Sequence, residues 1–239
     1  MIPQIIHYCW FGNGEMPQLA KDCIASWHKY MPDWEYKLWN EDNFDVYSIP
    51  YTKEAYEAKK YAFVSDYVRL YVLNKEGGLY LDVDFEVYRS FDNLLHWNAF
   101  AGFEGSKHAP LMMGVIASCR DGVWVKEQLG HYQGRHFVND DGSLDLTTNV
   151  KFVTEHMRMN GFVQNGKEQD YKDLHVFPVD YFCPKQTTGE YFRTENTYCE
   201  HKGLDSWAGP KQGWKAKIGE IVGTKNLVYL IKIKRKLFG

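Results

Sequence analysis

The twelve residues GGLYLDVDFEVY, Gly77 to Tyr88, decide how this chain is read. Leu79, Leu81, Val83, Phe85 and Val87 alternate with Tyr80, Asp82, Asp84, Glu86 and Tyr88. A period of two predicts one β-strand with a single buried face. The same period lines up Asp82, Asp84 and Glu86 on the other face, where their charges repel. Two carboxylates near the end of one strand supply hard oxygen ligands for a divalent cation, which would offset that repulsion. A solvated polar face explains the strand alone equally well, and Glu86, further along, reads as an ordinary acid.

The segment before it shifts the balance. Glu54 to Glu76 predicts one long helix, with Ala55, Ala58, Ala62, Val68, Tyr71 and Val72 in phase and Gly77-Gly78 as its stop. Asp66 and Arg69 lie three residues apart on one face. On an open surface such a pair contributes under about 1 kcal/mol. Here Phe63, Val64, Tyr67, Val68 and Leu70 surround it, so the helix is expected to be buried on more than one side. A polar cluster inside it then needs partners. Arg69 is expected to bridge Asp66 and a bound hydroxyl or phosphate, and Asp66 to accept from sugar hydroxyls.

Further out, Gln4 to Phe11 reads as a strand closed by Gly12-Asn13-Gly14, Met16 to Tyr30 as a helix, Trp34 to Trp39 as a strand and Asn40 to Pro50 as a loop. Ala99 to Phe103, Met112 to Ala117 and Leu174 to Phe182 read as strands. Val123 to Tyr132 and Val150 to Met159 read as helices, and Gly203 to Gly213 as a loop. Strands alternating with helices predict an α/β sheet that takes its ligand at the carboxyl ends of the strands. No repeat or low-complexity linker divides the chain, so residues 1–239 are expected to form a single domain.

Composition narrows the function. The 239 residues are 44% hydrophobic and 25% charged, enough for a sizeable core, and the net charge of −3 gives no field to recruit nucleic acid. Aromatic residues make up 16%, including 17 Tyr and 8 Trp, which suits stacking on bases or sugars. The five cysteines are odd in number and form no C-x-x-C pair, which argues against a zinc ribbon or disulfide framework and for a reducing compartment. No signal peptide is apparent, and no apolar run approaches the roughly 20 residues that span a bilayer. A cytoplasmic location is expected. The ending VYLIKIKRKLFG, Val228 to Gly239, mixes apolar and basic residues and suits the inner face of an anionic membrane; a packed terminal helix or a solvated basic end accounts for it equally well.

The run SDYVRLYVLNKEGGLYLDVD resembles the signature of glycosyltransferase family 32, which carries an Asp-x-Asp motif. IPQIIHYCWFGNG is similar to that family's first strand, WHKYMPDWEYKLWNEDNF to its second strand region, FAGFE to the segment after the Asp-x-Asp strand, and EHKGLDSW to a C-terminal loop. The family includes fungal mannosyltransferases and bacterial capsule and lipopolysaccharide enzymes, and it shares its motif with glucosylating toxins. The resemblance implies a GT-A (Rossmann-like) fold with a mixed, mostly parallel sheet flanked by helices. It implies a nucleotide-sugar donor, UDP-linked by preference, a glycan or glycolipid acceptor, and Mn²⁺ or Mg²⁺. By position, Trp10 would stack on the base, Ser65 and Tyr80 would contact ribose or sugar, and Asp66 and Arg69 would hold hydroxyls and phosphate. Asp84 would bind the metal directly and Asp82 directly or through water. Residues 200–239 would close the site. There His201 or Ser206 would complete the metal shell and Trp207 would cover the diphosphate, while Lys202, a departure from the family's second histidine, introduces a basic contact to phosphate. Asn149 would face donor or acceptor, with an N-cap role for Thr148 or Asn149 equally open. From the residues alone, two other classes stay open: another metal-dependent enzyme of nucleoside diphosphates (a nucleotidyltransferase or hydrolase), or a non-enzymatic sugar-binding module.

Overall fold

The computed structural model describes residues 1–104, 109–185 and 191–203. The chain divides into Met1–Leu204 and Asp205–Gly239, and the second unit lies outside the described residues. The strands are β1 (Ile5–Cys9), β2 (Glu35–Trp39), β3 (Gly78–Leu81), β4 (Phe85–Val87), β5 (Ala99–Phe103), β6 (Leu111–Ser118), β7 (Gln169–Tyr171), β8 (Leu174–Phe177) and β9 (Cys199–His201). The helices are α1 (Gln18–Tyr30), α2 (Pro50–Glu57), α3 (Tyr61–Glu76), α4 (Val123–Gly130), α5 (Asn149–Met159) and α6 (Val179–Phe182).

Among the described residues seven strands form one sheet in the order β2-β1-β3-β6-β5-β8-β7, and β4 pairs with β9 in a separate ribbon. In the large sheet β2, β1, β3, β5 and β8 run one way, and β6 and β7 run the other. The sheet is therefore mixed and mostly parallel, as expected. Its two faces carry separate cores. Tyr80, Ala101 and Val176 meet Val68, Trp124 and Val153 on the side of α2 to α5. Leu79, Leu81 and Phe100 meet Trp27 and Phe182 on the side of α1 and α6.

The opening stretch departs from its expected form. Gly77 to Tyr88 is not one strand. β3 stops at Leu81, Asp82 still donates its N–H to Gly114 O at 2.8 Å, and Phe85 N–H turns back onto Asp82 O at 3.1 Å. β4 then leaves the sheet. Trp27 Nε1 donates to Phe85 O at 2.7 Å and Val87 N–H donates to Ser26 Oγ at 2.9 Å, so α1 holds β4 from one side. The apolar residues keep their common face, since Leu79, Leu81, Val83, Phe85 and Val87 all enter the α1-side core. The other face of β3 is buried too, which corrects the expectation of a one-sided strand.

Three further boundaries differ. The long helix is two, because Lys59 takes a left-handed φ of 57° and breaks it between α2 and α3. Strand β8 ends at Phe177 because Pro178 has no N–H to continue the ladder and instead leads into α6. Strands β7 and β9, three residues each, were not expected from the sequence.

His7 fixes where β3 starts. The Trp39 indole N–H can only donate, so His7 Nδ1 accepts it at 3.0 Å and Nε2–H donates to Gly77 O at 2.8 Å. Burial lowers the His7 pKa, in keeping with this neutral ring. Gly78 has a φ of +114°, and a Cβ there would sit 2.7 Å from Ile5 O and 3.1 Å from His7 Nε2. Gly78→Ala is expected to destabilise the fold by about 1–3 kcal/mol through this backbone conformation. Urea unfolding measures it, and a midpoint equal to wild type would contradict this packing.

Candidate functional site

Trp10, Asp82 and Glu104 each follow the last residue of β1, β3 and β5, three strands that run the same way, so they share the carboxyl edge of the sheet. The centre of this edge is Arg69, which α3 delivers against the sheet with only 6% of its surface exposed. Its Nη2 lies 2.9 Å from Asp66 Oδ1 and its Nη1 3.4 Å from Asp82 Oδ2. Nη1 also donates to Met113 O at 2.7 Å, and Nε donates to Ser65 O at 3.3 Å. The guanidinium lies 4.8 Å from the centre of the Tyr80 ring. Through these contacts Arg69 positions Asp66 and Asp82.

Tyr80 is 1% exposed and its hydroxyl donates to Asp82 Oδ1 at 2.8 Å, so it supports Asp82. Room for the Asp82 carboxylate comes from Gly114, where a Cβ would stand 2.8 Å from Oδ2 and 2.5 Å from Phe85 Cε2.

Asp66 is largely covered beside Arg69. Burial pushes its carboxyl up to about 6, with the Arg69 charge and the Asn149 N–H pulling the other way. Asn149 opens α5, and Thr148 supplies the N-cap through its Oγ1, which accepts from Lys151 N–H. The Asn149 backbone N–H donates to Asp66 Oδ2 at 3.3 Å and its Nδ2 to Asp66 O at 3.2 Å. The positive end of α5 thus faces the Asp66 carboxylate. The structure brings Asn149 to the cluster and gives the cap to Thr148.

Asp84 lies in the turn after β3, and Asp82 sits where β3 ends, so they do not share a strand face as the alternation predicted. The β4–β9 pairing places His201 opposite Phe85, and His201 Nε2 lies 3.0 Å from Asp84 Oδ2. Burial pulls the His201 pKa down, but the hydrogen bond to Asp84 and the charges of Asp84, Asp82 and Glu104 outweigh it and raise it. Burial pushes the Glu104 carboxyl up, with His201 opposing and Asp82 adding. Glu104 was not singled out in the sequence, and its place directly after β5 is the signal that marks it. The carboxylates and one imidazole suit a hard divalent cation such as Mg²⁺ or Mn²⁺. Among the described residues, no three His, Cys, Asp or Glu side chains already stand in a metal-holding arrangement.

Trp10 is half-buried at this edge. Its N–H donates to Trp39 O at 2.9 Å and its Nε1 to Gly14 O at 2.5 Å, while Glu41 anchors Gly12 N–H at 2.6 Å. Ser65 is half-buried, with its hydroxyl directed to Tyr61 O at 3.3 Å. Lys202 pairs with Glu86 at 2.8 Å and Glu200 at 3.5 Å, which answers the expected phosphate contact with an internal one and gives Glu86 a partner. Ser206, Trp207 and the basic tail lie outside the described residues.

An α/β sheet with an acidic cluster tied by a buried arginine at its carboxyl edge suits a ligand held at the ends of the strands. Residues 17–101 match the family described as the glycosyltransferase sugar-binding region containing the DXD motif. Inositol phosphoceramide mannosyltransferase 3 of Schizosaccharomyces pombe is 36% identical over 103 residues, 41% of this chain and 29% of that protein. Mannosyl phosphorylinositol ceramide synthase SUR1 of Saccharomyces cerevisiae is 30% identical over 147 residues, 58% of this chain and 37% of that protein. The chain thus spans about a third of the length of these relatives, which are yeast proteins and not bacterial capsule or lipopolysaccharide enzymes. A solved structure titled PaToxG Glycosyltransferase overlays with a TM-score of 0.47 at 17% identity, covering 67% of this chain and 70% of that one.

Removing Arg69 strands two acids. Arg69→Met is expected to cost about 3–5 kcal/mol, as when one member of a buried ion network is lost. Arg69→Lys should recover only part, since an ammonium lacks the planar fork. Thermal and urea unfolding measure both, and a loss under about 1 kcal/mol, the worth of a surface pair, would contradict the burial described.

Proposed function

We propose that this protein is a glycosyltransferase that moves a sugar from a nucleoside diphosphate sugar to a hydroxyl of a glycan or glycolipid acceptor, with a divalent cation at Asp82, Asp84 and His201. The observation that carries the reading is the acidic cluster organised by Arg69 at the carboxyl edge, within the segment that matches the family. Trp10, which follows β1, stacks on the nucleotide base in this reading. Asp66, an acceptor oriented by Arg69 and Asn149, takes hydroxyls of the sugar, and Ser65 lies one residue before it on α3. Mn²⁺ or Mg²⁺ bound there would supply charge stabilisation to the departing diphosphate. Tyr80 and Arg69 keep Asp82 oriented as an acceptor throughout.

Retention of configuration, by attack from the face the diphosphate leaves, follows from the family resemblance and from the lack of a carboxylate that stands out as a nucleophile. Relatives named mannosyltransferases make a mannose donor the first to test beside UDP-sugars. Their ceramide-linked names favour a glycolipid acceptor. A location at the cytoplasmic face of a membrane, met by the basic tail, belongs to the same proposal and rests on the sequence. Among the described residues no helix is long and apolar enough to cross a membrane.

A thermal-shift screen of UDP- and GDP-sugars, each with and without Mn²⁺, should raise the melting temperature for one donor and more so with the ion. Asp84→Asn should abolish both the Mn²⁺ increment and transfer, with nucleoside diphosphate as the product in wild type. Release of pyrophosphate, or full turnover by Asp84→Asn, would overturn the reading.

A further inference from the structure

Arg135 lies well away in sequence from the acids at the carboxyl edge, yet its setting is as specific as that of Arg69. Its guanidinium carbon sits 3.8 Å from the ring centre of Phe152 on α5, 4.7 Å from that of Tyr51 on α2 and 5.2 Å from that of Tyr132. Nη2 pairs with Asp145 Oδ2 at 2.7 Å, with both side chains largely covered. Asp145 in turn accepts the Thr147 N–H on Oδ1 at 3.0 Å and donates its own N–H to Phe137 O at 2.8 Å. The next residues are Thr148, the cap of α5, and Asn149, which holds Asp66. One uninterrupted set of contacts therefore runs from Arg135 through Asp145 and the start of α5 to Asp66 and Arg69.

A second observation points to a ligand. Asn149 is 3% exposed and gives its N–H and Nδ2 to Asp66, while its Oδ1 is buried with no hydrogen-bond partner. Arg135 Nη1 and the Tyr132 hydroxyl are likewise buried and unsatisfied. A buried amide oxygen left without a donor costs about 1–3 kcal/mol, and such groups in native proteins commonly mark a water or ligand position. Beside a carboxylate that takes sugar hydroxyls, the fitting donor is another hydroxyl of the same sugar.

We propose that Arg135 is a positioning residue for recognition of the donor's sugar: it locks the start of α5 so that Asn149 is held on Asp66 with its Oδ1 presented to a sugar hydroxyl. The proposal rests on the nucleotide-sugar reading above. It assigns Arg135 and Asp145 to the sugar end of the donor and gives them no part in holding the nucleotide.

Calorimetry on the full chain with Mn²⁺, using UDP, GDP, UDP-glucose and GDP-mannose, tests it. Arg135→Met should weaken the sugar nucleotide that wild type binds by about tenfold, the loss of one buried hydrogen bond, and leave the matching diphosphate unchanged. Asn149→Ala should do the same, and the double variant should lose no more than either single one, since both remove the same contact. Arg135→Lys should fall between, keeping charge without the planar stack. Should Arg135→Met fail to fold, Asp145→Asn cuts the same ion pair with little lost packing and should show the same selective loss. Equal weakening of diphosphate and sugar nucleotide, additive losses, or no loss at all would overturn the proposal while leaving the transferase reading in place. Wild type that binds no nucleotide or sugar nucleotide overturns both.

Discussion

A guanidinium that has lost its water must be surrounded, and the carboxyl edge of this sheet is organised around that requirement at Arg69. Taking one cation out of water costs several kcal/mol after relaxation. Arg69 recovers this through Asp66, Asp82, Met113 O, Ser65 O and the Tyr80 ring. Those partners come from α3, the end of β3 and the middle of β6. One residue therefore fixes the helix against two strands and sets the direction of two carboxylates. The pair contributes little net stability by this accounting, because desolvation takes back most of the attraction. Its value is orientation, since acids held by a buried cation do not swing away from each other.

The acids next in line are placed by a different device. Strand β3 cannot carry Asp82 and Asp84 on one face, because both of its faces are buried and a row of carboxylates there would lack solvent. The chain turns at Asp82 and runs back along α1, where Trp27 and Ser26 take the backbone groups that β4 no longer shares with the main sheet. The other edge of β4 is closed by β9, which brings His201 to Asp84 and sets its ring 4.9 Å from that of Phe85. Lys202 N–H continues this pairing onto Asp84 O at 2.8 Å. The break in the strand thus creates the place where the second acid meets the imidazole.

What the sequence made legible follows from range of interaction. β5 was readable to the residue, and the Asp66–Arg69 pair was readable from helical spacing, because both depend on neighbours within one turn or one strand. The alternation Leu79 to Val87 reported the apolar face correctly but not the strand, since a side chain can keep its face through a turn. The contacts of Tyr80 and Lys202 were not readable because they depend on groups that arrive from elsewhere. Arg69 meets the Tyr80 face from α3, and Glu86 on β4 pairs with the Lys202 ammonium at 2.8 Å. Glu104 carried only its place directly after β5, and the sheet order is what puts it on the edge where Asp82 lies.

The segment that matches the family ends at residue 101. It contains Trp10's neighbouring helix, Asp66, Arg69, Asp82 and Asp84, the parts expected to serve any diphosphate-linked donor. Further groups at this edge lie beyond it: Glu104, Met113, Asn149 and His201, with Arg135 and Asp145 behind Asn149. A buried polar atom must be matched by its ligand or left at a cost, so under the proposed reading Asn149 Oδ1 would discriminate between sugars more sharply than added apolar contact does. On that reading the choice of sugar would be set by how the later chain folds back onto Asp66.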